Sequence, residues 1–411
     1  MSLISPFKGL RPPADLARQV AVPPYDVVNT REAGEFAAGN PCCFFHITRP
    51  EIDLDCNTDI HSSEVYTQGR RNLKSFLEKG YLKRDDLECF YIYQLEMDGK
   101  TQTGVVAGVS AEEYAKGLIK RHELTRPDKV RDRTENTLQL GINAGPVFLT
   151  FRNTIPYREV IAPFIAQPPV YNFESRNGVH HRFWIVDKAQ NIDRLRQTFA
   201  SVPALYIADG HHRAETGSNV CRTRREANPC HTGDEPYNTF LAVIFPHDEL
   251  RILEYNRLIL DTGDQEGDDI LERMQEIFSV KISDDSPPVQ RHMFKMFSDG
   301  TWYELDLPKK SVDESDPVKS LDSYILQERV IGPVFGIDDP RTDKRIDFVG
   351  GIRGMAELEK RCKADARLAF ALHPMSIEEL LAIADSGKLV PPKSTWFEPK
   401  LCSGLVVKEI E

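Results

Sequence analysis

Five residues with hinge, acidic, imidazole and guanidinium chemistry stand in a row at Asp209-Gly210-His211-His212-Arg213. They follow directly on a short apolar run, Ala204 to Ala208, that reads as a buried strand. Glycine after such a strand lets the chain turn sharply at positive φ. The sequence predicts an exposed turn there and a helix from about Ala214. The first turn of a helix offers unpartnered N–H groups and a partial positive charge, which together make an anion site. Gly210, His211, His212 and Arg213 are therefore candidate phosphate-binding residues, Arg213 through its planar cationic fork. His211 and His212 can donate protons near neutral pH, and Asp209 can accept a proton or hold a cation such as Mg²⁺. The plainer alternative is a capped helix with a hydrogen-bonded aspartate and surface histidines.

A second cluster lies at Arg121-His122-Glu123 through Arg133. Residues 116–133 carry seven Lys or Arg against three Asp or Glu, in a chain whose net charge is −11. Arg121, Arg126 and Lys129 are candidate phosphate ligands if they share the cleft of the 209–213 turn. Glu123, ionised among these cations, is a candidate for orienting a nucleophile. The alternative is a solvated helix with ordinary ion pairs. Tyr25 and Asp26, after the rigid Pro23-Pro24 pair, are candidates for lining the same cleft, as are Lys393, Ser394 and Thr395 after Pro391-Pro392. For these the alternatives are a turn-capping aspartate and a strand docked on the core. No H-E-x-x-H helix is present, and adjacent histidines on a strand point to opposite faces, so His180-His181 do not make a zinc pair.

The elements that must position these residues alternate in type. A helix is expected over 62–80, and a hairpin over 89–109 around Asp98-Gly99. Strands are expected at Val147–Phe151, Arg182–Asp187 and Thr239–Phe245, and a helix at 189–200. Pro23, Pro24 and Tyr25 to Val28 read as a rigid turn leading into a short strand, Arg251 to Leu260 as a continuation of the sheet, and 318–332 as a helix. A second hairpin is expected at 293–307, and a helix capped by Ser376 at 377–386. The chain has 411 residues with 40% hydrophobic and 28% charged content, which fits a globular protein of more than one lobe. The fold class is mixed α/β (α+β), with segments 1–150, 151–265 and 266–411. No apolar stretch is long enough to span a bilayer, and the start of the chain has no secretory pattern. Eight cysteines without C-x-x-C spacing read as thiols of a reducing compartment, so a cytoplasmic location is expected. The acidic balance argues against sequence-specific nucleic-acid binding, and no membrane partner is expected.

Six segments together resemble the family catalogued as domain of unknown function 1015. They are P-F-K-G-L-R-P, P-P-Y-D-V-V, H-I-T-R-P-E, R-H-E-L-T-R-P-D-K, A-D-G-H-H-R-A-E-T and P-P-K-S-T-W-F-x-P-K. Members are often labelled ParB-like or SpoOJ-like, because G-H-H-R is similar to the G-x-x-R turn of ParB and sulfiredoxin folds. That resemblance implies a ParB/sulfiredoxin-like core, near residues 180–260, between N- and C-terminal α/β extensions. It also implies nucleotide phosphates at Gly210, His211, His212 and Arg213, since members of that superfamily include NTPases and kinases for free serine. The function expected is phosphoryl transfer from a nucleoside di- or triphosphate, with Mg²⁺, to a small hydroxyl compound. Asp209 or Glu123 would orient the acceptor. The alternatives are a nucleotide-gated ParB-like interaction or DNA-associated protein without turnover, and a metal-dependent hydrolase. No basic helix-turn-helix follows the turn, which sets the chain apart from DNA-binding ParB.

Overall fold

The computed structural model describes residues 3–263, 265 and 267–411. The chain divides into two compact units, Met1–Leu250 with Pro399–Glu411, and Arg251–Glu398. The boundary expected after residue 265 adjoins Glu266, which lies outside the described residues.

The first unit is built on a nine-stranded mixed sheet. Its order is Ile119–Lys120, Leu205–Asp209, Val147–Phe151, Thr239–Pro246, Lys100–Ser110, Phe90–Met97, His180–Val186 and Tyr171–Glu174, with Ile4–Ser5 also paired to Lys100–Ser110. Strands from both sides of residue 150 interleave in it. The central hairpin closes at Asp98 and Gly99, which have φ of 53° and 72°, the left-handed pair that matches strand twist. Val147–Phe151 is buried at every position, as a strand covered on both faces must be. Helices Tyr157–Ile165 and Ala189–Ala200 contribute Tyr157, Ile161, Leu195 and Phe199 to the core beside Ile92, Val105 and Leu149.

A second core in this unit gathers Val22, Phe44, Phe45, Ile47, Leu73, Phe76 and Leu140. It joins the helix Ser63–Glu78 to the helix Pro127–Leu140 and to a four-stranded sheet. That sheet runs Lys83–Arg84, Gly9–Arg11, Val407–Glu409 and Ile142–Asn143. Tyr25–Val27 is a 3₁₀ turn, as the rigid turn expected there, but the short strand expected to follow it is absent among the described residues. Pro24 caps it with φ −56°, and the chain then passes directly into the capped helix Thr30–Ala37.

The second unit holds a six-stranded antiparallel sheet in the order Ser279–Ser283, Thr301–Asp306, Met293–Ser298, Leu368–Ala371, Tyr255–Ile259 and Ile346–Gly350. Arg251 to Leu260 therefore does not continue the sheet of the first unit. Arg251–Leu253 pairs with Trp396–Glu398, and Tyr255–Ile259 enters the six-stranded sheet. The helix expected over 318–332 is shorter and interrupted: Asp322–Leu326 widens into a π turn at Gln327–Ile331, followed by Gly332–Phe335. Pro333, which has no N–H to continue the ladder, accounts for the change. Ser376 and Glu379 form the capping box of Ile377–Asp385. No helix among the described residues is long and apolar enough to cross a membrane.

Candidate functional site

Leu205–Asp209 is a strand with four buried residues and a half-buried aspartate at its end. Its register against Val147–Phe151 shifts between Ile207 and Asp209, a bulge that re-aims the last side chain. Gly210 then turns the chain in one residue, with φ 93° and ψ 35°. The helix begins at His211, three residues before the expected start near Ala214, and its first backbone bond runs from Ala214 N–H to Gly210 O at 3.0 Å. Gly210 at the N-cap position brings no side chain to this helix start, whose first-turn amides point toward the strand end, the geometry of an anion site.

The turn is not exposed as expected. His211 is buried and Arg213 is 10% exposed. Arg213 folds back beneath the turn so closely that a Cβ at position 210 would lie 2.9 Å from its guanidinium. It donates to the Pro146 carbonyl and stands 3.8 Å from Asp209. Its Nε has no partner. The exposed fork inferred from sequence is thus a buried post whose charge lies under the helix start. Burial opposes that charge, but Asp26 and Asp209 outweigh it and raise the Arg213 pKa.

Asp209 also accepts from Lys400 Nζ at 2.9 Å. Burial disfavours its charge, yet Lys400 and Arg213 overcome that and hold the carboxyl well below the usual carboxylate range. This geometry does not suit a Mg²⁺ ligand, because both cations already face the Asp209 oxygens. Among the described residues no group of three or more His, Cys, Asp or Glu side chains is placed to hold a metal.

The 121–126 segment lies against the turn. The His122 and His211 rings meet edge to face at 4.4 Å, and His122 N–H points to His211 Nε2 at 3.5 Å. Arg126 N–H donates to His212 Nε2 at 3.0 Å. Each imidazole of the 211–212 pair therefore accepts at Nε2 and carries its proton on Nδ1. Glu123 is 4.0 Å from His211 Nδ1. Burial, reinforced by His122, holds the His211 pKa well below its ordinary value. Burial pushes His122 down to about 4, against the opposing pull of Asp209 and of the Ile207 backbone. Arg121 faces Glu215 at 3.7 Å on the same helix, while the Arg126 side chain turns outward to Asp128. Lys129 is exposed near the start of Pro127–Leu140.

Tyr25 comes to the site from the other side. Its ring covers the Arg133 guanidinium at 4.6 Å, and burial, aided by Asp26, pushes its hydroxyl up to about 12. Asp26 itself is exposed. Lys393, Ser394 and Thr395 belong to the second unit. There Ser394 bonds Ser323 at 2.8 Å and Lys393 lies 5.4 Å over the Tyr255 ring.

Two cavities flank Asp209 through its two cations. Arg213 lines a small one of about 60 Å³, with Tyr25, Arg133, Asn136 and Thr216. Lys400 lines a larger one of about 540 Å³, with Phe36, Phe173, Arg176, His181 and Cys402. Sequence reasoning missed Lys400, His122, Asn136 and Thr216. His122 and Lys400 stood inside motifs already singled out, and their types were the available signal. Asn136 and Thr216 are mid-helix polar residues that carry no local mark.

The family model described as "Protein of unknown function (DUF1015)" matches residues 4–324. The chain belongs to the DUF1015 family. No curated protein matches this DUF1015 chain. Among solved structures it is similar to a free serine kinase in complex with AMP, at 13% identity and TM-score 0.35, covering 72% of this chain and 86% of that one. It is similar to a conserved hypothetical protein from Pyrococcus furiosus, at 13% identity and TM-score 0.34, covering 74% and 95%. It is also similar to C-terminally truncated SbnI from Staphylococcus aureus, at 12% identity and TM-score 0.36, covering 72% and 85%.

Proposed function

We propose that this DUF1015 protein binds a nucleotide by its phosphates at Gly210–Arg213 and transfers a phosphoryl group to a small hydroxyl compound. The observation that carries the reading is Asp209, ionised at the start of the helix His211–Ala227 between Lys400 and Arg213, each cation lining its own cavity. Phosphoryl transfer needs positioning and charge neutralisation more than covalent chemistry. The first-turn amides, Lys400 and Arg121 supply the charge. A Mg²⁺ ion carried by the nucleotide belongs to the substrate.

In the step proposed, the acceptor oxygen forms a bond to the terminal phosphorus as the bond from that phosphorus to its bridging oxygen breaks. The nucleoside diphosphate leaves with the bridging oxygen, and the hydroxyl proton passes to Asp209. The neutral His211 donates from Nδ1 and is steadied by Glu123. A second reading, nucleotide binding without transfer, is favoured by the depressed Asp209 pKa, because so weak a base takes a proton reluctantly.

Calorimetry with ATP, ADP and AMP, followed by phosphorus NMR of reactions containing small hydroxyl compounds, tests both readings. Transfer requires affinity and a new phosphate ester. Affinity without an ester selects the second reading. No affinity for any of the three nucleotides removes both.

A further inference from the structure

The helices Pro127–Leu140 and His211–Ala227 face each other across the small cavity beneath the turn. Asn136 and Thr216 stand at mid-helix, 8% and 4% exposed, where apolar residues would ordinarily pack. Among the described residues, Asn136 Oδ1, Thr216 Oγ1 and Arg213 Nε are all buried without a hydrogen-bond partner, and all three residues line this cavity. Burying one such atom unsatisfied is costly, and buried polar groups are as a rule paired. Three around one space mark a site built for a polar occupant rather than a packing defect.

The occupant's size and chemistry follow from the walls. At roughly 10–15 Å³ per water-sized group, about 60 Å³ admits about four to six such groups. Arg213 Nε can only donate, so the occupant presents an oxygen to it. Asn136 Oδ1 can only accept, so the occupant presents an O–H or N–H. The Thr216 hydroxyl serves either role. Leu140, Ile142 and Ala144 close the remaining wall against a carbon skeleton. Arg213 links this cavity to Asp209, 3.8 Å from its guanidinium.

We infer that the cavity between Asn136, Arg213 and Thr216 seats the phosphoryl acceptor, a two- or three-carbon compound with a hydroxyl and at least one further hydroxyl, amine or carboxylate group. The inference rests on the phosphoryl-transfer reading and assigns the acceptor side of that site. Asn136 and Thr216 are positioning residues for the acceptor and take no part in holding the nucleotide.

The test is calorimetry of the full chain against glycerol, glycolate, ethanolamine and serine, with and without ATP, for the wild type, Thr216→Val and Asn136→Leu. Both substitutions keep the number and branching of the side-chain heavy atoms and delete the unpartnered polar atom. At least one compound binds the wild type, and each variant weakens it tenfold or more while ATP affinity stays within twofold. The unliganded variants melt at or above the wild-type temperature, because an unsatisfied polar atom has been replaced by an apolar one. A purely structural role predicts the reverse, with both variants melting well below wild type. That result overturns the inference, as does undiminished binding in both variants. If ATP binds and none of the four compounds does, the acceptor cavity falls and the phosphate site stands. If a compound binds in a Thr216-dependent way and no nucleotide does, the cavity stands as a ligand site and phosphoryl transfer falls.

Discussion

Each unit of the molecule buries one prominent guanidinium, and the two are used differently. Arg257, in the second unit, is 3% exposed and donates to the carbonyls of Tyr255, Pro392 and Lys393 beneath the Phe348 ring. No carboxylate pairs with it, and burial pushes it down to about 10. Its donors are spent on clamping the Pro391–Thr395 strap to its own sheet. Arg213 has Asp209 and the Pro146 carbonyl, yet keeps Nε without a partner at a cavity wall. The histidines repeat the contrast. His292, in the second unit, bonds Asp322 at 2.9 Å and Glu314 at 3.2 Å, whereas buried His122 meets the His211 ring edge to face. One arginine spends its donors on holding chain, and the other keeps one at a cavity wall. Unspent capacity of this kind distinguishes a binding site from a structural clamp.

The largest effect is expected at the clamp. Arg257→Met strips a charged donor from three carbonyls and should cost about 3 kcal/mol or more, read as a lower melting temperature with nucleotide affinity unchanged. Loss of nucleotide affinity in that variant would erase the contrast. Arg213→Lys should cost less stability, about 1–3 kcal/mol for the lost Pro146 bond, and should also weaken nucleotide binding about tenfold or more. Calorimetry and melting on the same two preparations compare the arginines directly. Next is Gly210→Ala, which forces a Cβ into the left-handed region against the Arg213 guanidinium. Strain of about 1–3 kcal/mol is expected, together with weaker nucleotide binding as Arg213 is displaced.

The smallest effect is the pH response, and its sign differs between the units. Unfolded histidine titrates near 6.5, while folded His122 is held down to about 4, so the folded chain binds fewer protons between those values. Its contribution to stability is complete above about pH 6.5 and is lost as pH falls toward 4, at no more than about 1.4 kcal/mol per pH unit. The His292 pKa is raised, through its bond to Asp322, so its contribution is complete below about pH 6.5 and is lost as pH rises through the folded value. His122→Phe should flatten the acid side of the melting profile, and His292→Gln should remove the gain on lowering pH. Parallel profiles for the two variants would contradict the difference drawn here.

Local patterns made much of this visible before any coordinates. Asp98-Gly99 between two apolar runs specified the hairpin, Gly210 after Leu205–Asp209 specified the strand and turn, and Ser376 specified a helix start. What escaped was non-local. Lys400 meets Asp209 across 191 positions, and no periodicity reports such a pair. Asn136 and Thr216 look like ordinary polar helix residues until two helices bring them to one space. Arg213 at a helix start reads as exposed, because the preceding Gly145-Pro146 segment that covers it is distant in sequence. Lys393 to Thr395 sit in a Pro-rich strap that suggests a cleft, and only the carbonyl bonds of Arg257 reveal the clamp. Tyr25 to Val27 follows two prolines, whose fixed φ suits a tight turn as well as a strand.

The first unit is interrupted by the second and resumes only at Pro399–Glu411, which supplies Lys400 and the strand Val407–Glu409 between Gly9–Arg11 and Ile142–Asn143. Asp209 therefore leaves the ribosome 191 residues ahead of its cation. At about 5–20 residues per second that delay is roughly 10–40 s. Throughout it the strand-end carboxylate has no Lys400 and the four-stranded sheet lacks an inner member. The inserted unit can finish folding while its host waits, so the host's site is among the last features to mature.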